Sequence, residues 1–327
     1  MTCRHSIHTR PRLEVPDYLI TTRKLHRGAF AAEPGPTRFL KIAAAASPDP
    51  GQAIKRKSWL AEVLSLAHTH EDPRTGEDCG DIVVFVHGYN TTPVESIERH
   101  RVFHAGLANA GFKGAFVSFD WPSDNRAINY LEDRSDAKMT ALTLVDDCIS
   151  LLAATQYRDC KINLHVVAHS MGAYLVREAF DDADDRPAIA NSNWTVSQLC
   201  FVAADVSAGS MAANDSRSRS LYRHCVRLTN YQNPYDAALK LSNVKRAGVA
   251  PRAGRRGLPD GRPHKAVNVN CGEHYAATFE DADNNGHSWY FGDAAFLGDL
   301  AETLAGDKDR RVIGARRSNA QGELQLL

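Results

Sequence analysis

Short runs of apolar residues alternate along the chain with stretches that have the spacing of amphipathic helices. The run Ile82–Val86 reads Ile-Val-Val-Phe-Val, which is typical of a strand buried on both faces of a parallel sheet. Pro93 can begin a helix that ends before Gly111, and the hydroxyl of Thr92 can cap it. The pattern therefore predicts a strand, a turn and a helix in succession.

The same alternation continues on both sides of this unit. Further strands are predicted at Tyr18–Thr22, Arg38–Ile42, Ala115–Phe119, Ile162–Val167, Leu199–Ala203 and Val226–Asn230. Further helices are predicted after an N-cap at Ser135, from Met171 to Phe180 and from Trp289 to Leu304. Such alternation predicts an α/β fold with a mostly parallel central sheet, helices on both faces and a ligand site beyond the carboxyl ends of the strands.

The lengths of the segments between strands indicate the domain organisation. We expect residues 1–80 to add strands and a linker to the same domain, residues 81–305 to form its core and residues 306–327 to be a C-terminal tail. The widest segments between strands are Trp121–Ser135, Asp205–His224 and Asn243–His274. None is long enough for a separate helical cap domain, so we expect an open active-site mouth.

Composition and charge narrow the class of protein. The 327 residues are 43% hydrophobic and 24% charged, as in ordinary globular proteins. Lys plus Arg equals Asp plus Glu, at 39 each, so no overall electrostatic field favours binding to nucleic acid.

No apolar run approaches the roughly 20 residues of a membrane-spanning helix, and the N-terminus lacks a secretory pattern, so we expect a cytoplasmic protein without an integral membrane segment. The seven cysteines are scattered without a C-x-x-C pair, which argues against a disulfide framework or a zinc site.

One stretch, Lys245–Lys265, is rich in Lys, Arg, Gly and Pro and contains a single acid, Asp260. It is either a solvated loop or a basic wall that attracts an anionic substrate.

The segment Ala168–Gly172 follows a predicted buried strand and precedes a predicted helix. Its middle residue, Ser170, is a candidate nucleophile, because a serine on such a sharp turn is held with Oγ exposed above the sheet. Small residues two positions before and after the serine let strand and helix approach each other, and Ala168 and Gly172 meet this requirement.

A serine nucleophile needs a base and an orienting acid, which in this arrangement follow it in the order acid, then histidine. His287 lies in a Gly/Asn loop before the last predicted helix and is our preferred base. The competing histidines are His224, His264 and His274. Asp236 and Asp205 each follow a predicted strand and both remain open as the acid; we favour Asp236, because it follows the later strand.

The remaining parts are an oxyanion hole and a pocket. Met171 supplies the backbone N–H after the nucleophile, and Gly88 permits a turn that aims the N–H of Tyr89 inward, unless this is an ordinary turn. Candidate substrate-binding aromatic residues, which could equally be packing residues, are Trp121, Tyr130 and Trp289.

Five motifs taken together resemble the α/β-hydrolase superfamily, and more narrowly its bacterial DUF900 type. They are Val84–Asn90, Ser118–Ser123, Ala168–Gly172, Asp236–Leu239 and Gly286–Ser288. The resemblance covers roughly residues 80–305. It implies a triad formed by the serine of the elbow, the aspartate of Asp-x-Ala-Leu and the histidine of His-Ser-x-Tyr, here Ser170, Asp236 and His287. A family resemblance does not name a substrate.

The sequence therefore predicts a serine hydrolase that cleaves carboxylic esters with short to medium acyl chains through an acyl-enzyme, without a metal or an organic cofactor. An amidase, a thioesterase or an acyltransferase would use the same parts. A binding or scaffold protein on the same frame is the alternative from another class. We expect a small-molecule ester as the partner and no nucleic acid; the sequence leaves the oligomeric state open.

Overall fold

One sheet organises the part of the chain that the computed structural model describes, residues 15–123, 140–154, 160–190, 194–240, 251–279 and 285–327. Its strands before the nucleophile segment are β1 (Asp17–His26), β2 (Ala29–Ile42), β3 (Ala53–Ile54), β4 (His68–Glu71), β5 (Asp78–Val86), β6 (Ala115–Asp120) and β7 (Cys160–His169). Those after it are β8 (Val196–Val202), β9 (Cys225–Gln232), β10 (Ala266–Asn270), β11 (Arg316–Ser318) and β12 (Leu324–Leu326).

Helices connect most of these strands. The longer ones are α1 (Arg56–Ala67), α2 (Pro93–Asn109), α3 (Met171–Asp184), α4 (Ser216–His224), α5 (Gly272–Phe279) and α6 (Ala294–Ala305). A π-helical segment (Leu144–Ile149) and short helical turns lie between them, among them Pro50–Gln52, Ser150–Ala153, Pro187–Ala190, Gly209–Met211, Ala253–Arg256 and Trp289–Gly292. No helix in the described ranges is long and apolar enough to cross a bilayer.

The strand order is β11-β12-β10-β9-β8-β7-β5-β6-β1-β2-β3, with β4 paired to β5. Every pair from β1 through β6, β5, β7, β8, β9 and β10 to β12 is parallel, whereas the pairs at the two edges and the pair β4–β5 are antiparallel. After β5 the chain first adds β6 on one side and then returns to add β7 on the other. Such a switch point opens a crevice at the carboxyl ends of the strands, where ligands of α/β proteins bind.

Both faces of the sheet are covered, as the continuous apolar strands predict. Along β5, Val84 and Val86 pack with α1, α3 and α4 in one core cluster, whereas Val83 and Phe85 pack with α2 and α6 in another. The alternation follows from the two-residue period of a strand, in which neighbouring side chains point to opposite faces. The predicted fold class, a mostly parallel sheet with helices on both faces, is confirmed.

The predicted elements recur with shifted ends, and one is split. The helix expected from Trp289 to Leu304 is a 3₁₀ turn, Trp289–Gly292, followed by α6. Asp293 separates them, because its side chain accepts a hydrogen bond from Phe296 N and so starts a new helix. The expected N-cap Ser135 lies outside the described residues.

The C-terminal segment contributes strands that the sequence did not indicate, whereas strands from residues 1–80 were expected. The N-terminal strand β1 pairs with β6, so residues of the 1–80 segment belong to the same sheet. Residues 306–327, which we expected to be a tail, include β11 and β12 at its other edge. Arg316 anchors this end: its Nε lies 2.6 Å from Asp299 Oδ2, and both side chains are fully buried. Strands of three residues are too short to show a hydrophobic period, which is why the pattern did not indicate them.

Two of the three widest segments between strands contribute to the layers of the domain. Asp205–His224 contains α4, which packs against α3, and the described part of Asn243–His274 contains β10. The segment after Trp121 lies largely outside the described residues.

Candidate active site

Ser170 lies at the turn between β7 and α3, above the carboxyl end of the sheet. Its backbone has φ 55° and ψ −122°, a left-handed conformation that costs a non-glycine residue on the order of 1–3 kcal/mol. Its surroundings hold it there, since Ser170 N donates to Val202 O at 2.9 Å and Asp205 N donates to Ser170 O at 3.0 Å. The strain turns the hydroxyl out of the helix direction.

Close packing requires the small residue two positions after the serine, Gly172. A Cβ on Gly172 would lie 2.5 Å from the carbonyl oxygens of both Val86 and His87, closer than any side chain can approach. Ala168, on the strand side, is fully buried in the core. The Ala-x-Ser-x-Gly pattern thus has a steric cause in this fold.

His287 and Asp236 complete a hydrogen-bonded chain with the serine. His287 Nε2 lies 2.8 Å from Ser170 Oγ, and His287 Nδ1 lies 2.7 Å from Asp236 Oδ2. A carboxylate can only accept, so Nδ1 carries the proton and the lone pair of Nε2 faces the serine hydroxyl. This geometry can take a proton from Ser170 as its oxygen attacks an electrophile.

The aspartate is sealed from water, whereas the other two residues reach the surface. Asp236 is 0% exposed and its Oδ1 accepts from Leu239 N at 2.8 Å, so both carboxylate oxygens have a partner. Ser170 is 7% exposed and the His287 side chain 14%. A substrate can therefore meet the serine and the histidine but not the carboxylate.

The other acid and two of the other histidines have partners away from Ser170. Asp205 Oδ1 lies 3.0 Å from Arg252 Nε, and both side chains are buried. His274 contacts Asp293 at 3.0 Å, and His224 contacts the carbonyl oxygen of Trp194 at 3.1 Å. His264 is exposed. Of the candidates, the structure brings Asp236 and His287 to Ser170.

A second set of the same residue types occurs away from this edge, in the core. Ser118 Oγ lies 2.8 Å from His100 Nδ1, and His100 Nε2 lies 3.5 Å from Asp17 Oδ1. Ser118 and His100 are each only 1% exposed. Because no substrate can reach Ser118, this set is structural.

The loop after β5 lies directly against the nucleophile. A Cβ on Gly88 would be 2.9 Å from Ser170 Cβ, so only glycine permits this approach. Tyr89 follows it and is half-buried, and Met171 opens the first turn of α3, where backbone N–H groups have no partner within the helix. The two predicted oxyanion-hole residues are therefore on elements that meet at Ser170.

A buried polar cluster supports this loop, and sequence reasoning missed its central residue. Arg23 Nε lies 2.9 Å from Asp120 Oδ2, and its Nη2 donates to Thr91 O at 2.6 Å. Burial by itself would raise the pKa of Asp120, but the charge of Arg23 and the hydrogen bond with His87 outweigh it and lower the pKa to about 2. No local signal marks Arg23, since its partner lies 97 positions away.

The predicted pocket residues are not gathered at the mouth. Trp121 is 0% exposed, and its Nε1 donates to His87 O at 2.9 Å. Trp289 is 7% exposed and packs on Tyr290, with ring centroids 4.1 Å apart. Full burial makes Trp121 a packing residue. A binding role for Trp289, which is as exposed as Ser170, stays a prediction. Tyr130 lies outside the described residues.

The basic stretch is in part structural. In its described portion, Arg252 pairs with Asp205, and Arg255 Nε donates to the backbone oxygen of Asp236 at 3.2 Å. Ala253 and Leu258 are buried. Most of residues 252–258 is thus packed against the sheet, whereas Arg256 is exposed, and residues 245–250 lie outside the described ranges.

No group of three or more metal-ligating side chains converges in the described parts of the chain. The absence of a cofactor stays a prediction.

Two known proteins are similar to parts of this chain. A curated relative, an uncharacterized protein of Nostoc sp. (strain PCC 7120), is 37% identical over 62 residues, which are 19% of this chain and only 15% of that protein. A solved structure from work on two metagenome-derived lipolytic enzymes, LipS and LipT, covers 58% of this chain and 82% of its own, with 14% identity and a TM-score of 0.30. A likeness this weak indicates nothing about the substrate.

The model of a whole protein family gives the firmer match. The family is described as an α/β hydrolase of unknown function, DUF900, and its model matches residues 68–259. This range is more than half of the chain and includes β5, the elbow at Ser170 and Asp236, whereas His287 lies beyond its end. The resemblance in the motifs is thereby confirmed, and the chain belongs to the DUF900 family of α/β hydrolases.

Proposed function

We propose that this protein is a serine hydrolase that cleaves carboxylic esters through an acyl-enzyme intermediate. The observation that carries the proposal is the continuous hydrogen-bonded chain from Ser170 Oγ through His287 to Asp236, with distances of 2.8 and 2.7 Å. Chance rarely aligns two such contacts on a strained, partly exposed serine.

In the proposed mechanism Ser170 attacks the ester carbonyl while His287 takes its proton. Asp236 holds the imidazole in the tautomer that leaves Nε2 free to accept, and stabilises the positive charge that forms on the ring. The N–H groups of Tyr89 and Met171 bind the oxyanion. His287 then returns the proton to the leaving alcohol, and water repeats the cycle on the acyl-enzyme. Atoms and charge balance without a metal or an organic cofactor.

Short to medium acyl chains are the proposed substrates. The lengths of the segments between the predicted strands support this, because none is long enough in the sequence for a separate cap domain over a deep acyl tunnel. A series of p-nitrophenyl esters of increasing chain length, extended to anilides and thioesters, ranks acyl length and leaving group together. Faster cleavage of dispersed long-chain triglyceride than of butyrate esters would contradict this part.

The nucleophile is tested with a fluorophosphonate probe and with p-nitrophenyl butyrate. We expect Ser170→Ala to abolish labelling and to lower turnover by roughly 10⁴-fold or more while the fold survives. The matched control is Ser118→Ala, because Ser118 Oγ also contacts a histidine, His100, but Ser118 is only 1% exposed. Labelling that persists in Ser170→Ala would contradict Ser170 as the nucleophile. A native protein that neither labels nor turns over esters would favour a binding protein on a hydrolase fold.

A further inference from the structure

Three consecutive backbone carbonyl groups of the loop that carries His287 accept hydrogen bonds from residues outside the loop. They belong to Asn285, Gly286 and His287, and they contact in turn Ala237 N at 2.8 Å, Asn233 Nδ2 at 2.9 Å and His169 Nε2 at 2.9 Å. Two of these donors come from the turn that bears the aspartate, and the third comes from the residue before the serine. Two of the three are side chains that the proposed mechanism does not use.

His169 has a fixed proton and a fixed position. A carbonyl oxygen can only accept, so the ring proton is on Nε2, facing His287 O. The side chain is buried, and its ring centroid lies 4.8 Å from that of His287. Burial, together with the nearby charge of His287, lowers the pKa of His169 well below its ordinary value. A neutral neighbour does not repel the positive charge that forms on His287 during turnover.

Asn233 is oriented from its other end. Its Oδ1 accepts from Tyr235 N at 3.0 Å, which leaves the Nδ2 group facing Gly286 O at 2.9 Å. The residue is 0% exposed, so water cannot substitute for either partner. Gly286 has φ 71°, and a Cβ there would lie 3.1 Å from Asn233 Nδ2. The loop that carries His287 is therefore closely packed against the Asn233 side chain in one position.

We propose that Asn233 and His169 are positioning residues, which hold the imidazole of His287 in line with Ser170 and thereby contribute to turnover rather than to substrate binding. The proposal rests on the proposed hydrolase function. Neither side chain touches the reacting atoms, so each acts through the loop. A displacement of about 1 Å at a reacting group lowers rate by roughly 100-fold, which is the scale of the expected effect.

The kinetic test uses substitutions that remove one donor and keep the volume. For Asn233→Asp and His169→Phe we expect kcat to fall roughly 10- to 100-fold with KM changed less than about twofold. His169→Gln carries an amide N–H near the position of Nε2 and should recover most of the loss.

The matched controls are a histidine and an asparagine with the same kind of bond elsewhere. His224 Nδ1 lies 3.1 Å from the backbone oxygen of Trp194, just before β8, and Asn230 Nδ2 donates to Ala253 O at 3.0 Å. His224→Phe and Asn230→Asp should lower stability without a comparable loss of kcat. An equal loss of kcat in these controls would reduce the effect to general destabilisation and overturn the proposal.

A second measurement does not depend on catalysis. In a Ser170→Ala background, hydrogen–deuterium exchange of a peptide that contains residues 285–288 should be faster in Asn233→Asp and His169→Phe than in the background alone. Unchanged exchange together with unchanged kcat in an otherwise active enzyme refutes the positioning role. If Ser170→Ala itself stays active, the hydrolase proposal fails, while the exchange experiment still tests the loop contacts. Should a variant fail to fold, Asn233→Ser and His169→Leu provide the same comparison.

Discussion

Arg23 in the first strand forms a buried ion pair with Asp120 at the end of β6, with Nε and Oδ2 2.9 Å apart and both side chains at most 3% exposed. The same guanidinium donates to the backbone oxygens of Thr91 and Trp121 at 2.6 and 3.0 Å. An N-terminal residue outside the matched family range thus supports the loop that faces the nucleophile.

Replacing Arg23 with Met should destabilise the fold by roughly 3–5 kcal/mol, because it leaves a buried carboxylate without its cation. Urea unfolding at neutral pH measures this. The control is Lys41→Met, since Lys41 and Glu62 form a pair 2.8 Å apart whose side chains are 39% and 36% exposed. That change should cost less than about 1 kcal/mol. Equal costs would show that the buried pair has no special role.

Acid should remove the contribution of Asp120 to stability. Its pKa in the folded protein is about 2, below the ordinary value of 3.8, so the ionised form is favoured by folding. A carboxyl group whose pKa is lower in the folded state stabilises the fold at any pH above its pKa in the unfolded state. This stabilisation is lost as the pH falls towards the pKa of the folded state. We expect a loss on the order of 2 kcal/mol between about pH 4 and pH 2.

Urea unfolding of the native protein and of Asp120→Asn, from pH 5 downwards, isolates this residue. The amide keeps the shape of the carboxylate but cannot titrate. The stability gap between the two proteins should narrow as the pH falls, and a gap that does not change with pH would contradict the assignment.

Substitutions of Asp236 and Asp205 should have different effects, one on turnover and the other on stability. Asp236→Asn should lower turnover on the order of 10⁴-fold near neutral pH, because an amide favours the wrong tautomer of His287. Asp205→Asn should mainly cost stability, because it weakens the buried contact with Arg252. Turnover of p-nitrophenyl butyrate and circular dichroism of both variants decide this, and a nearly inactive Asp205→Asn beside an active Asp236→Asn would reverse the assignment.

The C-terminal segment should be needed for the fold. Arg316 is paired with Asp299, and its Nη2 lies 3.2 Å from the hydroxyl of Tyr231 in the core. Arg316→Met should therefore cost roughly 3–5 kcal/mol. The neighbouring Arg317→Met should cost less than about 1 kcal/mol, since Arg317 and its partner Glu273 are 57% and 63% exposed. Thermal or urea unfolding compares them, and an Arg316→Met protein as stable as the native one would show that this ion pair does not anchor the segment.

Local pattern was enough for the parts of the molecule that depend on neighbouring residues. The apolar run at Ile82–Val86, the alternation of strands with helices and the small residues around Ser170 each reflect a local steric or hydrophobic requirement. These requirements already indicate a covered parallel sheet with a serine above its carboxyl edge. They also place Asp205, Asp236 and His287 in loops at that same edge.

Partners distant in the chain could not be found in this way. Sequence alone left Asp205 and Asp236 both open, and the structure separates them, because the buried Arg252 contacts one and His287 contacts the other. It likewise left packing and binding roles open for Trp121, which the structure buries completely.

The physical reason is the order of the strands. Parallel crossovers bring loops together that lie far apart in the chain, so Ser170 meets His287 across 117 positions and Arg23 meets Asp120 across 97. Hydrophobic periodicity determines which segments become strands and which face each side chain takes. Which strand lies beside which, and hence which polar groups meet at the edge, is decided only when the whole sheet has assembled.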